Sequence, residues 1–129
     1  MSVEELMIEV RSRLDQITHH INQLPPVETL TDETYAKLLP MLKQANERLS
    51  IFVESLPKSY MPDADINKTS EFVSVLGSDS RTPLELFRGA ASIIYGRYED
   101  QLSSAQYESA HAIETISDEL IHIIKSFNR

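Results

Sequence analysis

The stretch "VEELMIEVRSRLDQITHHINQL", residues 3–24, sets the fold class through the spacing of its apolar residues. These recur in alternating steps of four and three, the a/d spacing of helices that pack side by side. Ser2 and Glu5 form a capping box, in which both side chains satisfy free amides of the first helical turn. Pro25 and Pro26 end the helix, because proline lacks an amide donor and clashes with the preceding turn. The inward positions are Val3, Met7, Val10, Leu14, Ile17, Ile21 and Leu24.

A second helix follows over residues 31–56 with the same alternation, and a third over residues 67–100 with its own set of inward positions. Pro40 lies inside the second helix and should kink it or delay its start, and Pro83 interrupts the third. The inward positions are Tyr35, Leu38, Leu42, Ala45, Leu49, Phe52 and Leu56, then Phe72, Leu76, Leu84, Phe87, Ala91, Ile94 and Tyr98.

A fourth helix begins at another capping box, Ser103 to Gln106, and directs Ile113, Ile116, Leu120, Ile124 and Phe127 inward. The proline-containing loop "PKSYMPDAD", residues 57–65, is the natural boundary between two helical hairpins, 1–57 and 66–129. Nowhere does an alternating strand pattern compete. The sequence therefore predicts an all-α protein, one domain over residues 1–129, folded as an antiparallel four-helix bundle.

Composition narrows the function classes. The net charge of −8 divides evenly, −4 in residues 1–57 and −4 in residues 58–129, which argues against nucleic acid and against an anionic membrane as partners. The chain has no cysteine, no apolar window of membrane-spanning length and an acidic start unlike a signal peptide, so we expect a cytoplasmic protein. His19 and His111 lack a ligand-type residue four positions on, so no metal site is expected.

The segment "RTPLE", residues 81–85, can be interpreted locally as a third capping box. Thr82 would cap a new helix, Glu85 would complete the box, and Pro83 would occupy the first helical position, where its missing amide costs nothing. In that interpretation Gly77 ends one helix and residues 78–81 form a turn.

A wider window suggests a family. "RTPLELFRGAASIIYG", residues 81–96, followed by "LSSAQYESAHAIETISDELIHIIKSF", residues 102–127, resembles the dimerisation and histidine-phosphotransfer domain of sensor histidine kinases. That family has the pattern His-Glu-Leu-Arg-Thr-Pro-Leu, which Arg81, Thr82, Pro83 and Leu84 match letter for letter. The resemblance implies that the proline kinks one continuous helix and that two hairpins combine into one four-helix bundle.

The departures from the family concern the chemistry. Ser78 stands where the family has its phosphoacceptor histidine, and Asp79 stands at the assisting acid. A serine hydroxyl is far from ionising, and its phosphate ester does not readily pass on the phosphoryl group. With three glycines the chain also has no Gly-rich phosphate loop for ATP. We therefore expect no enzyme activity, no catalytic residue and no cofactor.

What remains is a kinase-like surface for protein partners. The resemblance implies that the receiver domain of a response regulator, or a sensor kinase, docks along residues 78–88. The candidate contact residues are Ser78, Asp79, Arg81, Thr82, Leu84, Phe87 and Arg88, and an exposed apolar patch nearby would support this site.

Two alternatives remain open at this point. His122, with Lys125 one turn on, faintly resembles the His-x-x-Lys pattern of histidine phosphotransfer proteins. The other alternative is a four-helix bundle unrelated to two-component signalling. The architecture also has two forms: an intramolecular pseudo-dimer, in which residues 2–56 replace the partner hairpin, or a homodimer through residues 84–127.

Overall fold

The computed structural model describes the backbone of residues 2–60 and 66–127 and the side chains of residues 2–56 and 71–127. This part of the chain folds as α1 (Val3–Asn22), α2 (Glu33–Tyr60), α3 (Ile66–Arg97) and α4 (Ser104–Phe127), with a short 3₁₀ helix, Glu99–Gln101, before α4. The helices run up-down-up-down, and α1 and α3 each pack against both α2 and α4. The prediction of an all-α four-helix bundle is confirmed.

Side chains cap the starts of α1, α2 and α4. The Glu5 amide donates to the Ser2 hydroxyl at 3.1 Å, as the first capping box predicts. At α4 both capping-box bonds are present, Gln106 amide to Ser103 hydroxyl at 3.1 Å and Ser103 amide to Gln106 side chain at 2.9 Å. The cap of α2 was not predicted: the Asp32 carboxylate accepts the amides of residues 34 and 35 at 2.9 and 3.2 Å.

Proline does not interrupt the helices where local sequence suggests it should. α3 is continuous through Pro83, so the interpretation of Thr82 as a helix start is wrong. The physical reason is packing: Leu76, Leu84 and Phe87 lie on one buried stripe, which holds both halves of α3 against the core.

α2 likewise overrides its prolines. It contains Pro40 but begins at Glu33, so Pro40 does not delay the helix start. It also continues through Pro57 to Tyr60, so the predicted loop is wrong for residues 57–60. Residues 61–65 of that predicted loop lie outside the described residues.

One hydrophobic core runs through the bundle and takes side chains from all four helices. Every predicted inward position is buried or half-buried against it. Leu84 and Phe87 are covered by the chain's own helices, so closing the core needs no second copy. In the described part of the chain, no helix combines the length and apolar content required to cross a bilayer.

Candidate functional site

The seven predicted contact residues lie on three different faces of α3. Leu84 and Phe87 belong to the core face, with 1% and 0% of their surface exposed. They share a buried helical stripe with Leu76 and Ala91, which directs them toward the bundle axis. The sequence-based site is corrected here: these two side chains support α3 from beneath and do not reach a partner.

A second face of α3, directed toward α4, carries Ser78, Arg81 and Arg88, all exposed. Ser78 and Arg81 line a groove of about 340 Å³ between α3 and α4, which we call the α3/α4 groove. Its floor is apolar and its α4 wall ends in a cation. The remaining lining residues are Gly77, Ser80, Leu84, Ile121, Ile124 and Lys125.

The charges on this face are mostly paired. Arg81 lies 3.2 Å from Glu85 one turn along α3. Arg88 donates to Asp118 on α4 at 2.8 Å, and this bond raises the pKa of Arg88 above its ordinary value. Lys125, by contrast, has no ion-pair partner among the described side chains. Arg81 and Arg88 are thus each paired with a carboxylate, and Lys125 of α4 is the cation beside them that is unpaired among the described residues.

A third face of α3, directed toward α2, carries Asp79 and Thr82. They line a larger groove of about 500 Å³, the α2/α3 groove, together with Pro83 and Leu86. From α2 the groove receives Met41, Gln44, Ala45, Arg48, Leu49 and Phe52. Met41 is 47% exposed, so apolar surface lies beside Asp79 and Thr82 in this groove.

Ser78 stands alone chemically. Its side chain is exposed on α3, and the residues that line the α3/α4 groove include no imidazole and no carboxylate. A hydroxyl becomes a nucleophile at neutral pH only with an adjacent base, a lowered pKa or a metal. None of the described residues that line the α3/α4 groove supplies an imidazole or carboxylate base.

His122 is exposed near the end of α4 and lines a separate shallow groove with Ile123, Ser126 and Phe127. Lys125 lines the α3/α4 groove instead. The two residues of the His-x-x-Lys pattern are therefore not brought into one groove. Among the described residues, no three histidine, aspartate or glutamate side chains cluster in a way that could hold a metal ion.

A partly buried polar cluster lies at one end of the bundle and was not predicted from the sequence. The Tyr98 hydroxyl donates to the Asp32 carboxylate at 2.6 Å, and the Tyr35 and Tyr98 rings pack edge to face at 5.6 Å. That hydroxyl bond, with the capping amides, lowers the pKa of Asp32, and burial raises the pKa of Tyr98. The partners are distant in sequence, so no local pattern indicates the pair.

Polar bonds also fix α4 to both of its neighbours. Toward α1, His20 Nδ1 lies 3.1 Å from the buried Ser109 hydroxyl, and burial together with His19 lowers the pKa of His20. Toward α3, the Tyr95 hydroxyl donates to the Glu114 carboxylate at 3.0 Å. These bonds link α4 to α1 and α3 independently of the core.

A scan of protein-family models found no match to this chain, and searches of curated proteins and of solved structures found none either. The function is therefore inferred from the residues of this chain.

Proposed function

We propose that this bundle is a non-catalytic signalling module that binds the receiver domain of a response regulator. The contact surface is the α4-directed face of α3, with Ser78, Arg81 and Arg88, and the neighbouring α3/α4 groove. The proposal combines the resemblance of residues 81–96 and 102–127 to sensor kinase hairpins with the exposure of this face.

The observation that carries the proposal is the unbroken course of α3 through residues 78–84. A helix start at Thr82 would have favoured a four-helix bundle unrelated to two-component signalling, in which the segment "RTPL", residues 81–84, is only a helix cap. A continuous helix through Pro83 is what the resemblance implies. It keeps Ser78 and Arg81 on one exposed stripe, where a kinase presents its phosphoacceptor histidine and docks its receiver.

Charge supports an acidic partner surface. Arg81 and Lys125 line the α3/α4 groove, and Arg88 lies on the same face of α3, in a chain whose net charge is −8. Complementary potentials steer encounter and fix orientation more than they add affinity. A partner with carboxylates around an apolar contact would fit this groove.

The lining of the α3/α4 groove supports the non-catalytic part of the proposal. The α3/α4 groove offers the Ser78 hydroxyl cations but no proton acceptor of the imidazole or carboxylate type. The module would recognise phosphorelay proteins without carrying their phosphoryl group.

The test uses purified receiver domains from the same genome, each free and as its beryllofluoride complex, titrated against the full chain. We expect at least one receiver to bind, and Arg81→Glu to weaken it at least about tenfold through charge reversal at the contact. Arg11→Glu, an equal charge change at an exposed position of α1, is the matched control and should bind like wild type.

Two outcomes would refute the receiver assignment. One is that no receiver binds while the dimerisation hairpin of a sensor kinase does, which identifies the kinase as the partner. The other is equal binding by Arg81→Glu and Arg11→Glu. Acid-labile label on the chain after incubation with a phosphorylated receiver, lost in His122→Ala, would contradict the non-catalytic part.

A further inference from the structure

The outward side of the α2/α3 groove carries a second heptad pattern, offset from the fully buried stripe of each helix. Ala45, Phe52 and Leu86 in this pattern are half-buried at the edge of the core. On α2 the pattern consists of Met41, Ala45, Arg48 and Phe52, and on α3 of Asp79, Thr82, Leu86, Gly89 and Ile93. Each set alternates in steps of three and four, the spacing of a coiled-coil contact. We call these nine residues the outer seam.

The outer seam is apolar at several positions and open to solvent. Met41 and Ile93 are 47% and 45% exposed, although burial of large apolar side chains lowers the free energy. At Gly89, apart from the adjacent residues and the nearby backbone of α3 itself, nothing lies within 4 Å of where a Cβ would stand, so another helix can approach the α3 backbone closely. The surface therefore has the spacing and the space for helices packed against it.

Two opposite charges interrupt the seam, one on each helix. Arg48 and Asp79 both line the α2/α3 groove, from opposite walls. Neither forms an ion pair with another described side chain. A single polar residue at a seam position typically fixes the register and the partner of a helical contact.

This charge pattern is self-complementary. In a two-fold interface the same patch serves both copies, so residue i meets residue j and j meets i. With the two-fold axis parallel to the bundle, α2 of one copy lies over α3 of the other at the same height. Arg48 then meets the partner's Asp79, and the contact occurs twice. An axis across the bundle would instead place Arg48 against the partner's Arg48.

We infer that the outer seam is a homodimer interface, in which a second copy of this chain packs α2 on α3 with the two-fold axis along the bundle. One chain closes the fully buried core by itself, and this interface would use the half-buried and exposed residues at its outer edge. The interface covers Asp79 and Thr82 and leaves Ser78, Arg81 and Arg88 free, so it does not depend on receiver binding.

The test is a charge-exchange experiment in sedimentation velocity, on the full chain without any partner protein. We expect wild type to reach twice its 14.7 kDa chain mass at micromolar to submillimolar concentration. Arg48→Glu and Asp79→Arg each place like charges at both contacts, and each should weaken the dimer at least about tenfold. An equal mixture of the two variants should recover it, because every contact between unlike chains is again attractive.

Controls separate the interface from general effects of charge. Lys43→Glu and Glu47→Arg alter exposed residues of α2 outside the seam and should leave the dimer unchanged. If circular dichroism shows that a charge variant has lost helix, Ile93→Lys replaces it as the disrupting change. A monomeric wild type overturns the inference and leaves the groove to another occupant. Dimers that persist in both charge variants, or a mixture that stays monomeric, overturn the assignment to this face.

Discussion

The two sides of α3 contact their neighbouring helices in different ways. Toward α4, polar bonds join the helices, with Arg88 to Asp118 at 2.8 Å and Tyr95 to Glu114 at 3.0 Å. Toward α2, the described side chains within the two helices share no hydrogen bond or ion pair, and an apolar groove of about 500 Å³ remains open. The Tyr98 to Asp32 bond joins residues just beyond the helix ends. The α4 side of α3 has its polar groups bonded within the chain. The α2 side leaves apolar surface exposed, which is typical of a surface that binds another molecule.

The sharpest way to test this difference uses two neighbours on α3, Phe87 in the core and Leu86 in the α2/α3 groove. Phe87→Ala should lower the free energy of unfolding by about 3–5 kcal/mol, because it leaves a cavity among buried side chains. Leu86→Ala should cost about 1 kcal/mol, since Leu86 is only half-buried. Urea denaturation measures both, and equal losses would show that the groove is part of the core.

The Tyr98 to Asp32 bond is the one place where a described polar side chain ties the end of α3 to the start of α2. Tyr98→Phe should lower the free energy of unfolding by about 1–2 kcal/mol, because it removes a bond to a charged carboxylate. Tyr95→Phe, which removes a bond at a more exposed rim, is the matched control and should cost less.

The loss in Tyr98→Phe should depend on pH. The pKa of Asp32 is lowered from 3.8 in the folded state, so the bond's stabilisation is present above pH 3.8 and is lost as pH falls through the lower folded-state pKa. Wild type and Tyr98→Phe should therefore converge in stability in strong acid. A constant difference across that range would show that the carboxylate is not the partner.

The smallest expected effect concerns His20 at the α1/α4 contact. Its pKa is lowered from 6.5 in the folded state, so the stabilisation from neutral His20 is present above pH 6.5 and is lost as pH falls through the folded-state value. The melting temperature of wild type should fall slightly more on mild acidification than that of His20→Gln. His111→Gln is the control, and an NMR titration midpoint of His20 at or above 6.5 would contradict the assignment.

Periodicity predicted the core well because helix burial follows a fixed spacing. All predicted inward positions are buried or half-buried, and the caps at Ser2 and Ser103 form as expected. The same spacing concealed the outer seam: Ala45 and Phe52 were assigned to the core, but they are half-buried and also line the α2/α3 groove. One apolar alternation cannot show that a helix has two contact faces.

The candidate site was less predictable because it depends on direction and on distant partners. Leu84 and Phe87 belong to a motif, but only the fold shows that they point inward while Arg81 points outward. Thr82 has every local mark of a helix start, yet packing on both sides of Pro83 keeps α3 continuous. Tertiary contacts decided each of these cases.

Pro83 is a weak point in the backbone hydrogen bonding of α3. Proline has no backbone N–H, so the carbonyl of Asp79 lacks the hydrogen-bond donor that residue 83 would otherwise supply. Gly77, six residues before Pro83, also has a low helix propensity. The continuity of α3 therefore depends on core contacts on both sides of Pro83, made by Leu76 and Leu84. If these core contacts were lost, we expect α3 to unfold locally around Pro83 and leave two shorter helices. Backbone amides around Pro83 would then exchange with solvent before those near the ends of α3.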